Sequence, residues 1–310
     1  MGRYKVFVVI LLLSCAGAAQ SSIPFKLLGK HLIVVRGSLG DLTNRNLVID
    51  TGAYPSILDM SVAHKLHISG HNEELDAVNH KMTRPVVIVP SVEVGPIRAQ
   101  GLRVMTADLS DASQAFGMRI DALIGLDVLQ RTSFRVDYQS KRIFFGQLEP
   151  LPCSVPFEWT GGMLTVNLHS ETSLRMLVDT GAESTLLLGS RGSLTHRGNM
   201  REFTSLGGNF TLRQVTLKEV QLGNSDLGSQ AVYVADSSRL PDYPFDGFLS
   251  TVQFAQIAFD FERYTFSWST HSQTNRRVHL AQRAGNAATM LGALSAGLAD
   301  AEPAGLGRVP

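Results

Sequence analysis

Two aspartates, Asp50 and Asp179, each close an apolar run and open the tetrapeptide Asp-Thr-Gly-Ala. The runs are Leu47-Val48-Ile49 and Leu177-Val178, and the aspartates stand 129 residues apart. One Asp-Thr-Gly is a weak signal: at ~5% frequency per residue, a chain of this length holds one by chance about 4% of the time. Two in the same context, each followed by Ala, are not chance. An apolar strand that stops at Asp puts a carboxylate at the end of a buried element, where Gly permits a tight turn and a Thr hydroxyl can lock it. Two such carboxylates brought to ~3 Å repel by roughly 5 kcal/mol at an effective dielectric near 20, about four pK units. They therefore share one proton. One member is then a base for an attacking water and the other an acid for a carbonyl oxygen, a chemistry favoured at mildly acidic pH.

The elements that must position this pair are themselves duplicated. Ile23-Pro24-Phe25 reappears as Val155-Pro156-Phe157, and Val92-Glu93-Val94-Gly95 as Val220-Gln221-Leu222-Gly223. Further on, Ile120-Asp121-Ala122-Leu123-Ile124-Gly125 matches Phe245-Asp246-Gly247-Phe248-Leu249-Ser250, and Phe134-Arg135-Val136-Asp137-Tyr138 matches Ile257-Ala258-Phe259-Asp260-Phe261. Landmarks in one order, twice, mean two copies of one fold. The copies are assigned to residues 22–150 and 151–270, with the boundary in Glu149-Pro150-Leu151-Pro152. Each reads as mainly β. Residues 31–36 and 163–168 are β-rich, 86–94 and 215–222 alternate up to turns at Gly95 and Gly223, and 102–105 and 232–234 follow as strands. One short helix per copy is expected, such as Ser56 to Leu66 with Leu58, Val62 and Leu66 on one face. Short strands with frequent turns argue for a small barrel or sandwich per copy.

With these motifs in place, the chain resembles the retropepsin-like aspartic proteases. The resemblance implies an all-β fold of two homologous acid-protease β-barrel lobes related by a pseudo-two-fold axis. It implies that Asp50 and Asp179 are the catalytic pair, that Thr51 and Thr180 hydrogen-bond across it, and that Gly52 and Gly181 line the substrate cleft. Leu123-Ile124-Gly125 fits the segment that threads behind the catalytic loop, and Phe248-Leu249-Ser250 fits it with Ser in place of Gly. A glycine-containing flap is implied at Leu206-Gly207-Gly208-Asn209, with Gly207 and Gly208 facing substrate, whereas residues 78–84 of the first copy hold no glycine. Relatives with one Asp-Thr-Gly must dimerise. A chain with both motifs is expected to be a monomer with an intramolecular dyad, the alternative being that each lobe pairs with a lobe of another chain. The activity implied is that of an aspartic endopeptidase acting on peptide or protein substrates with no metal and no cofactor. The alternative is a noncatalytic peptide-binding protein on the same fold, for which Ser250 and the first-copy flap leave room.

The remaining residues offer little competing chemistry. His64, His67 and His71 have helical spacing, but Ser69-Gly70 interrupts them and no carboxylate completes a metal motif. Asp121 and Asp246 read as turn caps, and Glu183 as either a substrate contact or a solvent-facing turn residue. No Gly-x-Ser-x-Gly or His-Glu-x-x-His occurs. With 28 Lys+Arg against 27 Asp+Glu the net charge is +1, which gives no footprint for nucleic acid. Two cysteines, Cys15 and Cys153, make no disulfide framework or zinc site, and Cys153 reads as a small buried hydrophobe.

Residues 1–20 have the layout of a signal peptide: Arg3 and Lys5, the apolar run Val6 to Leu13, then small residues around Ala16-Gly17-Ala18-Ala19. The run is too short to span a bilayer, so a secreted or periplasmic protein is expected. Alternatively Leu12-Leu13-Ser14-Cys15 is a lipobox and Cys15 anchors a lipoprotein to a membrane surface. Residues 271–310 turn polar and then Ala/Gly-rich, and read as a disordered tail.

Overall fold

The computed structural model describes residues 21–76, 81–188, 198–205, 208–235 and 243–271. The segment read as a signal peptide, Cys15, Gly207 and the residues beyond His271 lie outside the described residues. The first half begins with β1 (Ser21–Pro24), β2 (Lys26–Leu28), β3 (Leu32–Leu39), β4 (Leu42–Ile49), β5 (Ile57–Asp59) and α1 (Met60–Lys65). It continues through β6 (His71–Asp76), β7 (Lys81–Val94), β8 (Ile97–Ala107), α2 (Ser110–Ala115), β9 (Ala122–Ile124), α3 (Leu126–Leu129), β10 (Phe134–Asp137) and β11 (Arg142–Phe145). The second half runs β12 (Cys153–Pro156), β13 (Glu158–Thr160), β14 (Met163–His169), β15 (Ser173–Asp179), β16 (Leu186–Leu188) and β17 (Met200–Ser205). It ends with β18 (Gly208–Leu222), β19 (Ser225–Ala235), β20 (Gly247–Ser250), β21 (Gln256–Asp260) and β22 (Thr265–Ser269).

The duplication read in the sequence is a duplication of topology. One eight-stranded sheet has the order β2-β3-β4-β9-β5-β8-β7-β6, and the other repeats it as β13-β14-β15-β20-β16-β19-β18-β17. Each curls back on itself, through β3–β7 pairing in the first and β14–β18 in the second. A third sheet, β1-β11-β10-β21-β22-β12, takes three strands from each half and joins them where β10 runs antiparallel to β21. The molecule is all-β in the expected sense, two like lobes on a shared floor. Gly95 and Gly223 end β7 and β18 in the left-handed conformation, both at φ 56°.

Alternation decides which face each side chain takes. In β3 and β4, Ile33, Val35, Leu47 and Ile49 enter the main core, while Val34 and Val48 enter a second cluster on the opposite face with Ile57, Met105 and Leu109. The main core continues through both halves, with Phe134, Phe259, Phe266 and Trp268 fully buried over the floor. Each such side chain contributes roughly 1.5–3 kcal/mol of burial.

The expected helix over 56–66 is half strand. Ile57, Leu58 and Asp59 are all buried, and they form β5 between β8 and β9. Two apolar neighbours that must face opposite sides of a sheet cannot share one helical face. The helix starts only at Met60, capped by the Asp59 carboxylate, which accepts from the Ser61 amide at 3.1 Å. The expectation of one helix per copy also changes: among the described residues all three helices belong to the first half. The three histidines diverge accordingly. His64 is in the last turn of α1, His67 has φ 54°, and His71 opens β6 with Nε2 2.8 Å from Glu73.

Candidate active site

β4 and β15 each lie beside a short parallel strand, β9 and β20, in the middle of their sheets. Asp50 and Asp179 stand where these strands run out. The Asp50 amide donates to the Ile124 carbonyl at 3.0 Å, and Asp179 is level with Ser250 in the register. Each carboxylate is then held by the turn that follows it. The Gly52 amide donates to Asp50 Oδ1 at 2.9 Å, and the Gly181 and Ala182 amides donate to Asp179 Oδ1 at 2.7 and 3.1 Å.

The two motifs meet. A Cβ added to Gly52 would lie 2.5 Å from Asp179 Cγ, and one added to Gly181 would lie 2.9 Å from Asp50 Cγ. Neither glycine has a positive φ, so the turn itself does not demand Gly; the opposing carboxyl does. Beneath the carboxyls the threonines interlock. The Thr51 hydroxyl donates to the Val178 carbonyl at 2.7 Å and accepts from the Thr180 amide at 3.1 Å. Reciprocally, the Thr180 hydroxyl donates to the Ile49 carbonyl at 2.9 Å and accepts from the Thr51 amide at 3.0 Å. Both threonines are fully buried, so these bonds have no competition from water.

Burial pushes the pKa of both aspartates up, and the negative charge of Asp50 pushes Asp179 up further, well above the ordinary carboxylate range. Such a pair titrates as a unit and holds one proton over a wide pH range. Both residues nevertheless keep part of their surface open. That is the arrangement a water-activating acid–base pair needs.

Supporting contacts differ between the halves. In the first, Ser56 donates from its amide and hydroxyl to the two oxygens of Asp127, at 3.0 and 2.5 Å, and its Oγ accepts from the Gly125 amide at 2.8 Å. In the second, Thr185 Oγ1 accepts from the Ser250 amide at 3.2 Å, and Val252 stands where Asp127 does. Sequence reading missed Ser56 and Asp127. The Leu-Ile-Gly-x-Asp spacing was the available signal, hidden because the second copy lacks the Asp. The departure at Ser250 is accommodated: its hydroxyl donates to the Ala182 carbonyl at 2.8 Å, whereas a Cβ at Gly125 would lie 2.3 Å from the Ala53 carbonyl.

Asp121 and Asp246 hold their lobes together rather than simply capping a turn. Asp121 accepts from the Asn46 amide at 2.9 Å and from Arg119 Nε at 2.7 Å, and Asp246 accepts from the Arg175 amide at 2.8 Å. Glu183 pairs with Arg201 Nη2 at 2.6 Å. Of the residues read as a flap, Gly208 opens β18 opposite Ser205 in the β17–β18 hairpin. The first half has the matching hairpin, β6–β7, with Asp76 opposite Lys81. Among the described residues no group of His, Cys, Asp or Glu is arranged to hold a metal ion, and no helix is long and apolar enough to cross a membrane.

Residues 35–128 match the family model for aspartyl proteases, which bears out the resemblance read from the sequence there. No curated protein matches. Among solved structures, the aspartic proteinase from Irpex lacteus is similar at 14% identity and TM-score 0.49, over 81% of this chain and 97% of that one.

Proposed function

We propose that this chain is an exported aspartic-type endopeptidase in which each half supplies one aspartate to a single intramolecular dyad. The aspartyl protease match gives the hydrolase class. The observation that carries the finer reading is the reciprocal closure of the two motifs, each glycine against the other half's carboxyl. In the mechanism, a water between the carboxyls gives its proton to ionised Asp50 as its oxygen attacks the peptide carbonyl carbon. Protonated Asp179 donates to the carbonyl oxygen, so the tetrahedral intermediate is a neutral diol. On collapse Asp50 gives its proton to the leaving nitrogen as the C–N bond breaks, and one diol hydroxyl returns its proton to Asp179, so the dyad again holds one proton. Neither a metal nor a cofactor takes part.

The test is cleavage of denatured casein and a peptide library by purified protein between pH 3 and 8. Asp50→Asn and Asp179→Asn should each lower kcat/KM by about 10²–10⁴-fold. Cleavage that survives both substitutions overturns the reading; tight peptide binding without turnover at any pH supports the noncatalytic alternative. Export rests on residues 1–20, and the mature N-terminus of protein recovered outside the cytoplasm checks it: a free residue near 20 fits cleavage and secretion, a lipidated Cys15 the membrane-anchored form.

A further inference from the structure

Resting on the reading of the cleft as a peptide-cleaving site, we propose that Arg201 is a positioning residue. It ties the β17–β18 hairpin to the catalytic loop of the second half, and so sets how firmly the cleft holds an extended peptide. Glu183 follows Ala182, whose amide is bonded to Asp179, so Glu183 lies at the rim of the dyad. Arg201 is the second residue of β17, and its Nη2 donates to Glu183 Oε1 at 2.6 Å. The guanidinium does not reach there freely. It lies over the rings of Phe203 at 5.0 Å and Tyr233 at 5.8 Å, and Nη1 donates to the Tyr233 hydroxyl at 3.4 Å. Those rings pack edge to face at 4.7 Å, and Tyr233 is buried in β19. A planar cation stacked on fixed rings is already oriented before it meets its carboxylate.

The first half shows that the repeat does not require this tie. Arg201 faces Leu212 across its hairpin as Glu73 faces Arg84 across the other, so Glu73 occupies the corresponding place. Glu73 pairs with Arg103 of β8 and His71 of β6, within its own sheet. Tyr54 stands where Glu183 does, and it packs near Gly162 of the other half. Half-exposed ion pairs contribute little to global stability, so a role in holding one hairpin is the better account of this one.

Arg201→Met keeps the aliphatic stem and removes the fork. We expect KM for a cleaved peptide to rise about 2–5-fold with kcat nearly unchanged, and high salt to raise the wild-type KM toward the variant's. Hydrogen exchange in β17 and the facing part of β18 should quicken, while β14 and β15 keep their protection. Glu183→Gln, which is isosteric, should act in the same direction and serves if Arg201→Met does not fold. Unchanged hairpin exchange in a folded variant, or a loss confined to kcat, overturns the proposal. If the wild-type protein cleaves nothing, the proteolytic reading fails separately, and the exchange comparison still decides whether the tie exists.

Discussion

Asp179 carries an electrostatic cost of folding. Its pKa rises from an ordinary 3.8 because of burial and the facing charge of Asp50. The folded state therefore binds more protons than the unfolded chain above that ordinary value, and stability is lost as pH climbs from there through the folded pKa. Asp179→Asn removes the penalty. Thermal unfolding should show the variant more stable than wild type at pH 7, with the gain absent at pH 3, the opposite trend to its loss of cleavage. The same shift sets the alkaline limb of the pH profile: as pH rises, kcat/KM should hold until the shared proton leaves, above the ordinary carboxyl range. Thr51 is a second residue with a sharp expectation. Thr51→Val keeps the shape but orphans the Thr180 amide and the Val178 carbonyl, costing about 2–5 kcal/mol by denaturant titration, whereas Thr51→Ser should cost far less. Asp50, Asp179 and their threonines were legible in the sequence because an apolar run and a repeat framed them. Asp127 was not, since its counterpart is Val252 and self-comparison passes over what only one copy has.

At the scale of elements, the hairpins were less legible than the strands that carry the dyad. Attention to a flap falls naturally on glycines at its tip, yet the glycines that shape both hairpins are at their bases. A Cβ on Gly70 would lie 1.7 Å from the Val86 carbonyl oxygen, and one on Gly198 would lie 1.6 Å from that of Gln214. The positions correspond, each just before the first hairpin strand, and neither was among the landmarks because a lone glycine matches many places in a sequence. Gly70→Ala and Gly198→Ala should each cost about 3 kcal/mol, since the obstructing atom is backbone and cannot rotate away. Gly101→Ala is the control. Gly101 has φ 58° but open space around its Cβ, so the cost should be only about 1–2 kcal/mol, from backbone conformation alone. Helix α1 was misread for a related reason: Ser56-Ile57-Leu58-Asp59 is buried throughout and so shows no alternation to tell strand from helix, and the pairing that makes it a strand comes from β8 and β9, which are distant in sequence.

Across the whole molecule, the floor sheet makes the halves inseparable. β10 pairs with β21 residue for residue, the main core runs through both lobes, and the Tyr138 hydroxyl bonds Thr251 Oγ1 of the other half at 2.8 Å. Unfolding should accordingly be one cooperative transition, with calorimetric and van't Hoff enthalpies equal and with tryptophan fluorescence and far-ultraviolet dichroism coincident. Two separated midpoints would show that the lobes melt independently. Tyr138 escaped sequence comparison because its counterpart is Phe261, a polar contact present on one side only. The threonine interlock has the opposite character, and it reaches beyond folding into heredity. Each hydroxyl serves backbone groups of the other copy, so a mutation in either gene segment injures the two together. A duplicated chain ordinarily lets one copy drift while the other keeps working. Here that freedom ends at four hydrogen bonds, and is left to the rims, where Tyr54 and Glu183 have already parted.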